Sequence, residues 1–211
     1  MKNIYINAAT QYNNEWDIKQ LITDANMRRR MSTLVKMGVA TGLKCLAQAN
    51  VTTPDSIITA TTYGCLADSE KFLAAALSSD EQNLPPTPFI QSTFNTIGSQ
   101  LAILTHCNGY NMTFVNRQQS FTDALIDACL EIADGKHTVL LGYADEQTAT
   151  LHNIIERMGK YGTALPQNNS AWFFLLSDQK TEQTIAEISN PTLNTLRNIG
   201  SVTTFMRNIM Q

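Results

Sequence analysis

Short strand-like runs alternate with longer helical runs along most of this chain, and this alternation constrains the fold more than any other feature of the sequence. β-Branched and apolar residues predict strands at 4–9, 56–61, 112–115, 138–141, 171–176 and 184–189. Apolar residues at helical spacing predict helices at 27–49, 67–77, 95–105 and 121–132, with a helical tail from Leu193. The prolines within 84–88 are expected to break the chain.

Strands that alternate with crossover helices favour a mostly parallel sheet covered by helices on both faces. The runs TVLL and AWFFLL, at 138–141 and 171–176, are continuously apolar, as strands buried on both faces are. No linker-like or low-complexity segment divides the pattern. We therefore expect one α/β domain over residues 1–211, layered α/β/α, with a mixed, mostly parallel sheet.

The composition is poor in charge, which indicates a surface that a partner covers. Hydrophobic residues make up 43% of the chain and charged residues only 16%, against about a quarter in ordinary globular domains. The net charge is -3, and Arg28, Arg29 and Arg30 form the one basic cluster in the sequence. This distribution argues against a nucleic acid partner. We interpret the three arginines as a helix-end or interface feature, with an anion site as the alternative.

Cysteine usage and the amino terminus indicate the cellular compartment. The four cysteines, Cys45, Cys65, Cys107 and Cys129, form no CxxC pair and lie mostly in apolar runs. Such residues are typical of reduced thiols in the core of a cytosolic protein. Since no signal-peptide core and no run long enough to span a membrane is present in the sequence, we expect a soluble, cytoplasmic protein.

The segment TFVNRQQSFTDAL, residues 113–125, predicts a turn from a strand into a helix. The first N–H groups of a helix lack partners and favour an anion, so many enzymes place a nucleophile at such a turn. A cysteine there would react as a thiolate. Gln118 has no ionisable proton, but its amide can hydrogen-bond a thioester carbonyl or a carboxylate.

Five segments in order carry a resemblance to a known family: DSIITATTYG, TPFIQSTFNTIGSQLAIL, the turn GYN at 109–111, RQQSFTDAL, and GYADE at 142–146. Together they resemble the N-terminal half of a β-ketoacyl synthase of the thiolase fold, over residues 1 to about 190. The resemblance implies a thiolase-like half-fold, with Gln118 at the position of the nucleophilic cysteine.

Glutamine at that position is typical of chain length factors, the non-condensing partners of ketosynthases, and of ketosynthase-like decarboxylases. The family's catalytic histidines and lysine belong to a second half that lies beyond this sequence, and His106, His137 and His152 occur in other contexts. The chain resembles a truncated chain length factor. This implies a non-catalytic partner of a full-length ketosynthase in fatty acid or polyketide biosynthesis, with aryl polyenes or related pigments as candidate products. No cofactor and no metal are implied, and acyl carrier protein would be contacted through the partner.

The resemblance also implies a dimer interface, because in the family the strand before the nucleophile pairs antiparallel with its mate across the dimer axis. An ordinary central strand is the alternative interpretation. The residues assigned to the interface are Asn95, Met112, Thr113, Phe114, Val115 and Asn116.

The resemblance further implies an acyl tunnel, since in ketosynthases the loop after the second strand gates such a tunnel. Tyr63 takes the gate position, and the alternative is that Tyr63 caps the core. The residues assigned to the tunnel are Tyr63, Cys65, Leu66, Phe72, Gln118 and Phe121. Phe89 and Phe94 are further candidates for the same space, although aromatic residues at such spacings are more often core.

Two other functions stay open at this point. In the first, Gln118 supports decarboxylation of malonyl carrier protein, which predicts carbon dioxide release that Gln118→Ala abolishes. In the second, the chain is a homodimeric scaffold that binds acyl groups or carrier protein, which predicts a stable homodimer that ignores added ketosynthase.

Overall fold

One sheet organises the computed structural model, which describes residues 3–78, 84–158 and 169–209. In these ranges its strands are β1 (Ile4–Gln11), β2 (Ser56–Ala60), β3 (Tyr110–Phe114), β4 (Thr138–Asp145), β5 (Ser170–Ser177) and β6 (Ala186–Ile188). They lie in the order β3-β2-β4-β5-β1-β6. Strands β3, β2 and β4 pair in parallel, whereas β4-β5, β5-β1 and β1-β6 pair antiparallel.

The sheet is therefore mixed, as predicted, but parallel pairing is confined to β3, β2 and β4. Four of the six strands described, β3, β2, β4 and β1, run in the same direction, because β5 pairs antiparallel with both β4 and β1. Strand β5 itself is buried along nearly its whole length. A strand that is apolar on both faces shows the same residue pattern whichever direction it runs.

Helices cover both faces of the sheet. They are α1 (Ile18–Leu21), α2 (Ala25–Arg30), α3 (Thr33–Gln48), α4 (Leu66–Ser78), α5 (Pro86–Gln91), α6 (Thr96–Thr105), α7 (Ser120–Ala133), α8 (Ala149–Met158), α9 (Leu193–Arg197) and α10 (Val202–Ile209). The helix expected at 27–49 is divided, because Met31 after α2 is extended. The break expected at 84–88 contains the start of α5, because proline is well suited to the first position of a helix.

Neighbouring strand residues point into two separate cores, which confirms the predicted α/β/α layering. Ile57 and Leu140 pack with Leu34 and Phe173 under α3. Their sequence neighbours Ile58 and Leu141 pack on the opposite face against α7, α9 and α10. This alternation is what a sheet with two buried faces requires.

Two glycines let α3 approach α6 closely. A Cβ on Gly38 would lie 2.8 Å from the Ile97 Cδ1 atom, and one on Gly42 would lie 2.8 Å from the Leu101 Cδ2 atom. Each methyl group would overpack this contact, at a cost of about 1–3 kcal/mol. The contact fixes α6 relative to the sheet, and with it Asn95 at the start of α6.

The arginine cluster lies at a helix end and the cysteines lie in the core, as the sequence predicts. Arg28 to Arg30 form the last turn of α2, where Arg28 Nη1 donates to the Ile22 carbonyl and Arg29 Nη2 donates to Asn26 Oδ1 at 2.7 Å. All four cysteines are free and buried. In the ranges that the structure describes, no helix combines the length and apolarity needed to cross a bilayer.

Candidate functional site

The turn between β3 and α7 is a tight elbow. Arg117 adopts a left-handed conformation with φ of 51°, and a short 3-10 helix, Arg117–Gln119, leads into α7. The Ser120 hydroxyl fixes the turn, because it accepts a hydrogen bond from the Asn116 N–H at 2.7 Å and donates to the Arg117 carbonyl at 2.8 Å. The strained residue therefore lies directly before Gln118.

The side chains at the elbow carry no free nucleophile. Asn116 to Gln119 are exposed, and amide and guanidinium groups do not attack a thioester. Ser120 is fully buried, and its hydroxyl is committed to the turn. The next thiol after the elbow, Cys129, lies in the core, where burial raises its pKa to about 12. Gln118 can thus offer hydrogen bonds from an exposed position, but no covalent chemistry.

The loop after β2 is anchored by the end of β4. Asp145 is fully buried and accepts hydrogen bonds from the Thr61 hydroxyl at 2.6 Å, the Thr62 N–H at 2.9 Å and the Tyr63 N–H at 3.1 Å. The Tyr143 hydroxyl also bonds this carboxylate. The next residue, Glu146, accepts from the Ala67 N–H at 2.9 Å. The sequence pattern singled out GYADE but predicted no role for these two acids.

Tyr63, the predicted gate residue, is half-buried on this anchored loop. Burial raises the pKa of its hydroxyl, the Asp145 charge adds to that rise, and Arg117 opposes it. Tyr63 is therefore a neutral phenol at physiological pH. Because β2 and β3 are parallel, the loop after β2 and the elbow after β3 lie at the same end of the sheet.

A small cleft lies beside this loop. Its volume is about 10 Å³, enough for roughly one water molecule. The residues that line it are Leu34, Thr59, Ala60, Thr61, Gly64, Cys65, Phe94, Ile97, Thr113, Tyr143, Ala144 and Phe173.

Among the residues predicted for the tunnel, Cys65 lines the cleft, as does Phe94, which was a further candidate for the same space. Burial raises the pKa of its thiol to about 12, so it contributes an apolar wall. Phe72 packs against Phe89 of α5, with ring centroids 5.2 Å apart and the rings tilted by 48°. Phe121 lies in the core under α7, with its ring 5.5 Å from that of Phe205. The predicted tunnel residues therefore lie in different parts of the structure: Cys65 in the cleft, Phe72 against α5 and Phe121 in the core.

Strand β3, predicted to lie at a dimer interface, is an edge strand of the sheet. Met112 is 42% exposed and Val115 40%. Asn95 Oδ1 accepts a hydrogen bond from the Thr113 hydroxyl at 2.8 Å, which joins the start of α6 to this edge. The alternative of a central strand does not hold for this chain, and an apolar edge of this kind is a template for pairing with a second chain.

The fold is similar to solved ketosynthase structures. A ketosynthase in complex with its chain length factor (ApeO with ApeC) from Xenorhabdus doucetiae matches with a TM-score of 0.66 and 20% identity, over 86% of this chain and 81% of that chain. The ishigamide ketosynthase/chain length factor matches with a TM-score of 0.63 and 19% identity, over 78% of this chain and 48% of that chain.

A third structure is a type II polyketide synthase acyl-carrier protein in complex with its ketosynthase bound to the hexaketide (AntDE with AntF). It matches with a TM-score of 0.70 and 14% identity, over 83% of this chain and 63% of that chain. The chain thus spans less than two thirds of the second and third structures. A search of curated proteins finds no match. A family model described as the N-terminal domain of β-ketoacyl synthase matches residues 7–203, and the chain therefore belongs to the β-ketoacyl synthase family.

Proposed function

We propose that this chain is a non-catalytic, chain length factor-like partner subunit of a full-length ketosynthase in fatty acid or polyketide biosynthesis. The observation that carries the proposal is the elbow between β3 and α7. It has the strand, strained residue and helix that could present a nucleophile, yet it presents Gln118. Two of the similar structures are described as ketosynthases with their chain length factors, which supports this assignment.

The partner surface in this proposal is the edge formed by β3. Its exposed apolar side chains, Met112 and Val115, would be buried by a strand from the ketosynthase. The proposed interface also includes Asn95, Thr113, Phe114 and Asn116. The low content of charged residues fits a chain with part of its surface covered. Residues 1–211 act in this proposal as one β-ketoacyl synthase N-terminal-like domain.

The chain would shape the acyl tunnel of the complex through the loop after β2. Tyr63 lies on a loop whose backbone N–H groups donate hydrogen bonds to the Asp145 carboxylate. The bond from the Tyr63 N–H fixes the position of Tyr63. A rigidly placed phenol can limit the length of a growing chain by filling the tunnel. Condensation itself, and contact with acyl carrier protein, would belong to the ketosynthase.

The test is the native mass of this protein co-expressed with a full-length ketosynthase from the same organism. A one-to-one complex, with a mass near the sum of the two chains, is the expected result. A homodimer that leaves the ketosynthase eluting separately would overturn the proposal and favour the scaffold function instead.

The same preparation separates the decarboxylase function from the partner function. Incubation with malonyl carrier protein should release no more carbon dioxide than the ketosynthase releases alone. Release that depends on this chain and disappears in Gln118→Ala would assign Gln118 a catalytic role and contradict the non-catalytic assignment.

A further inference from the structure

Two carboxyl groups are buried where α4 begins. Asp68 lies in the first turn of α4 and is 5% exposed, and Glu146 follows β4 and is 6% exposed. Glu146 Oε1 accepts a hydrogen bond from the Ala67 N–H at 2.9 Å, which places this carboxyl beside the turn that carries Asp68. Acidic residues are rarely buried to this degree unless a partner compensates their charge.

The Asp68 carboxyl is incompletely satisfied. Its Oδ2 atom is buried and has no hydrogen-bond partner among the residues that the structure describes. Neither Asp68 nor Glu146 forms an ion pair within the same residues. A buried carboxylate oxygen without a donor has lost its hydration and has gained no bond in return. This junction between α4 and the end of β4 therefore lacks one hydrogen-bond donor.

The charges that face Glu146 from α4 are mostly negative. Burial raises the pKa of the Glu146 carboxyl, and the hydrogen bond from the Ala67 N–H opposes that rise. The Asp68 charge raises this pKa further, Lys71 lowers it and Glu70 raises it again. Lys71 is exposed, so it offsets the two acids only in part. The environment of Glu146 therefore favours the protonated, neutral acid.

The other ionisable groups at the junction cannot replace a proton on Glu146. The Glu70 and Asp145 carboxylates are acceptors, and Glu70 Oε1 accepts the Thr148 hydroxyl at 2.6 Å. Burial, together with the charges of Glu146, Asp68 and Asp145, raises the pKa of the Cys65 thiol to about 12. The thiol is therefore neutral, and an S–H group is only a weak donor.

We propose that Asp68 and Glu146 share one proton in acidic solution, with the Glu146 O–H donating to the Asp68 Oδ2 atom, and that this bond is a pH-sensitive latch. The latch closes when the proton binds. It opens when the proton leaves, because two buried carboxylates then repel each other. Since α4 follows directly on the loop that carries Tyr63, the latch holds the end of that loop. The inference concerns the isolated chain and does not depend on the proposed function.

The direction of the pKa shift sets the pH range of the latch. A carboxyl whose pKa is raised by folding adds stability that is complete below its ordinary pKa, which is 4.5 for Glu146. That stability is lost as the pH rises through the raised pKa of the folded state. The latch should therefore be closed below pH 4.5 and open above the raised pKa of Glu146.

The experiment is hydrogen exchange of the Ala67 N–H in the isolated chain between about pH 4 and about pH 8, measured by NMR and corrected for the intrinsic exchange rate. We expect the protection factor to fall as the pH rises above 4.5. The loss of one proton allows a fall of at most about tenfold for each pH unit. Above the raised pKa of Glu146 the protection factor should become constant.

Glu146→Gln imitates the protonated acid, because its amide can still accept the Ala67 N–H and can also donate to Asp68. This variant should keep the latch closed, with a protection factor at about pH 8 at least threefold above that of the unmodified chain and little dependence on pH. Glu182→Gln is the control, since Glu182 is exposed, and it should follow the unmodified chain. A carboxylate that only accepts the Ala67 N–H would predict the reverse, a loss of protection in Glu146→Gln.

Asp68→Asn removes one charge of the pair and keeps its shape. The titration midpoint of the Glu146 carboxyl carbon, measured by ¹³C NMR, should move toward 4.5 in this variant. The proposal is overturned if protection of the Ala67 N–H does not change with pH in the unmodified chain, or if Glu146→Gln is the less protected protein at about pH 8. If Glu146→Gln does not fold, the midpoint decides, and a value at or below 4.5 in the unmodified chain overturns the latch.

Discussion

The Asp145 carboxylate accepts a hydrogen bond from the Thr61 hydroxyl at 2.6 Å and thereby joins the ends of β4 and β2, which are 84 residues apart in sequence. The same carboxylate accepts the Thr62 and Tyr63 N–H groups, so one fully buried side chain sets the path of the loop. A single carboxylate can do this because it accepts several hydrogen bonds at once. Any function of Tyr63 depends on this anchor.

Asp145→Ala should destabilise the protein, because it leaves two loop N–H groups and a threonine hydroxyl without their acceptor. We expect the free energy of unfolding to fall by about 2–4 kcal/mol. Asp134→Ala is the control, since Asp134 is exposed at the end of α7 and should change the value by less than about 0.5 kcal/mol. Urea denaturation measures both, and equal losses would contradict the anchoring role.

Asp55 should make stability depend on pH in the acid range. Burial raises the pKa of this carboxyl, but bonds from the Thr138 and His137 N–H groups and the Thr138 hydroxyl outweigh it and hold the pKa below the ordinary 3.8. The stabilisation is complete above pH 3.8 and is lost as the pH falls through the lower pKa of the folded state.

Asp55→Asn removes that titration. The variant should be less stable than the unmodified chain at neutral pH, by about 1–2 kcal/mol for weakened charge-assisted hydrogen bonds. The difference should shrink as the pH falls below about 3.8. Thermal unfolding of both proteins between pH 2 and pH 7 checks this, and a difference that stays constant over the range would disprove the linkage.

Tyr63→Ala in the complex with the ketosynthase should lengthen or broaden the product distribution, because it removes the ring from the proposed gate. Tyr63→Phe keeps the ring and should retain the product length, since the hydroxyl is not needed to fill space. Mass spectrometry of the released products distinguishes the two. An unchanged distribution in Tyr63→Ala would rule out gating.

Met112→Lys should weaken the complex with the ketosynthase, because it places a charge in the apolar edge of β3. We expect at least a tenfold loss of affinity, or about 1.4 kcal/mol. Leu130→Lys is matched in exposure, at 44% against 42% for Met112, and lies on α7 instead of β3. Analytical ultracentrifugation of the three complexes should show a loss for Met112→Lys alone.

The helices that pack on the sheet could be predicted from periodicity, because each has one apolar face. α7 buries Phe121, Leu125 and Ala128 at the spacing that the sequence indicates. The order and direction of the strands could not be predicted from periodicity. The residues of β5 are apolar on both faces and do not record its antiparallel direction.

The candidate site was harder to predict, because apolar spacing does not distinguish a tunnel wall from a core. The ring of Phe121 lies 5.8 Å from that of Phe174, in the core under α7. Asp145 carried a stronger signal, since an acidic residue at the end of a buried strand needs partners. Its partners could not be identified without knowing that β2 and β4 are neighbours.

The glycine contacts between α3 and α6 hold these two helices in a fixed position relative to each other. Gly38 meets Ile97 and Gly42 meets Leu101, so neither helix can slide along the other without a collision. We expect a partner that displaces the start of α6 to move α3 as well, together with Phe173, whose ring lies close to Gly42 and lines the cleft. Assembly at the edge of the sheet would then change the shape of the cleft beside the loop after β2.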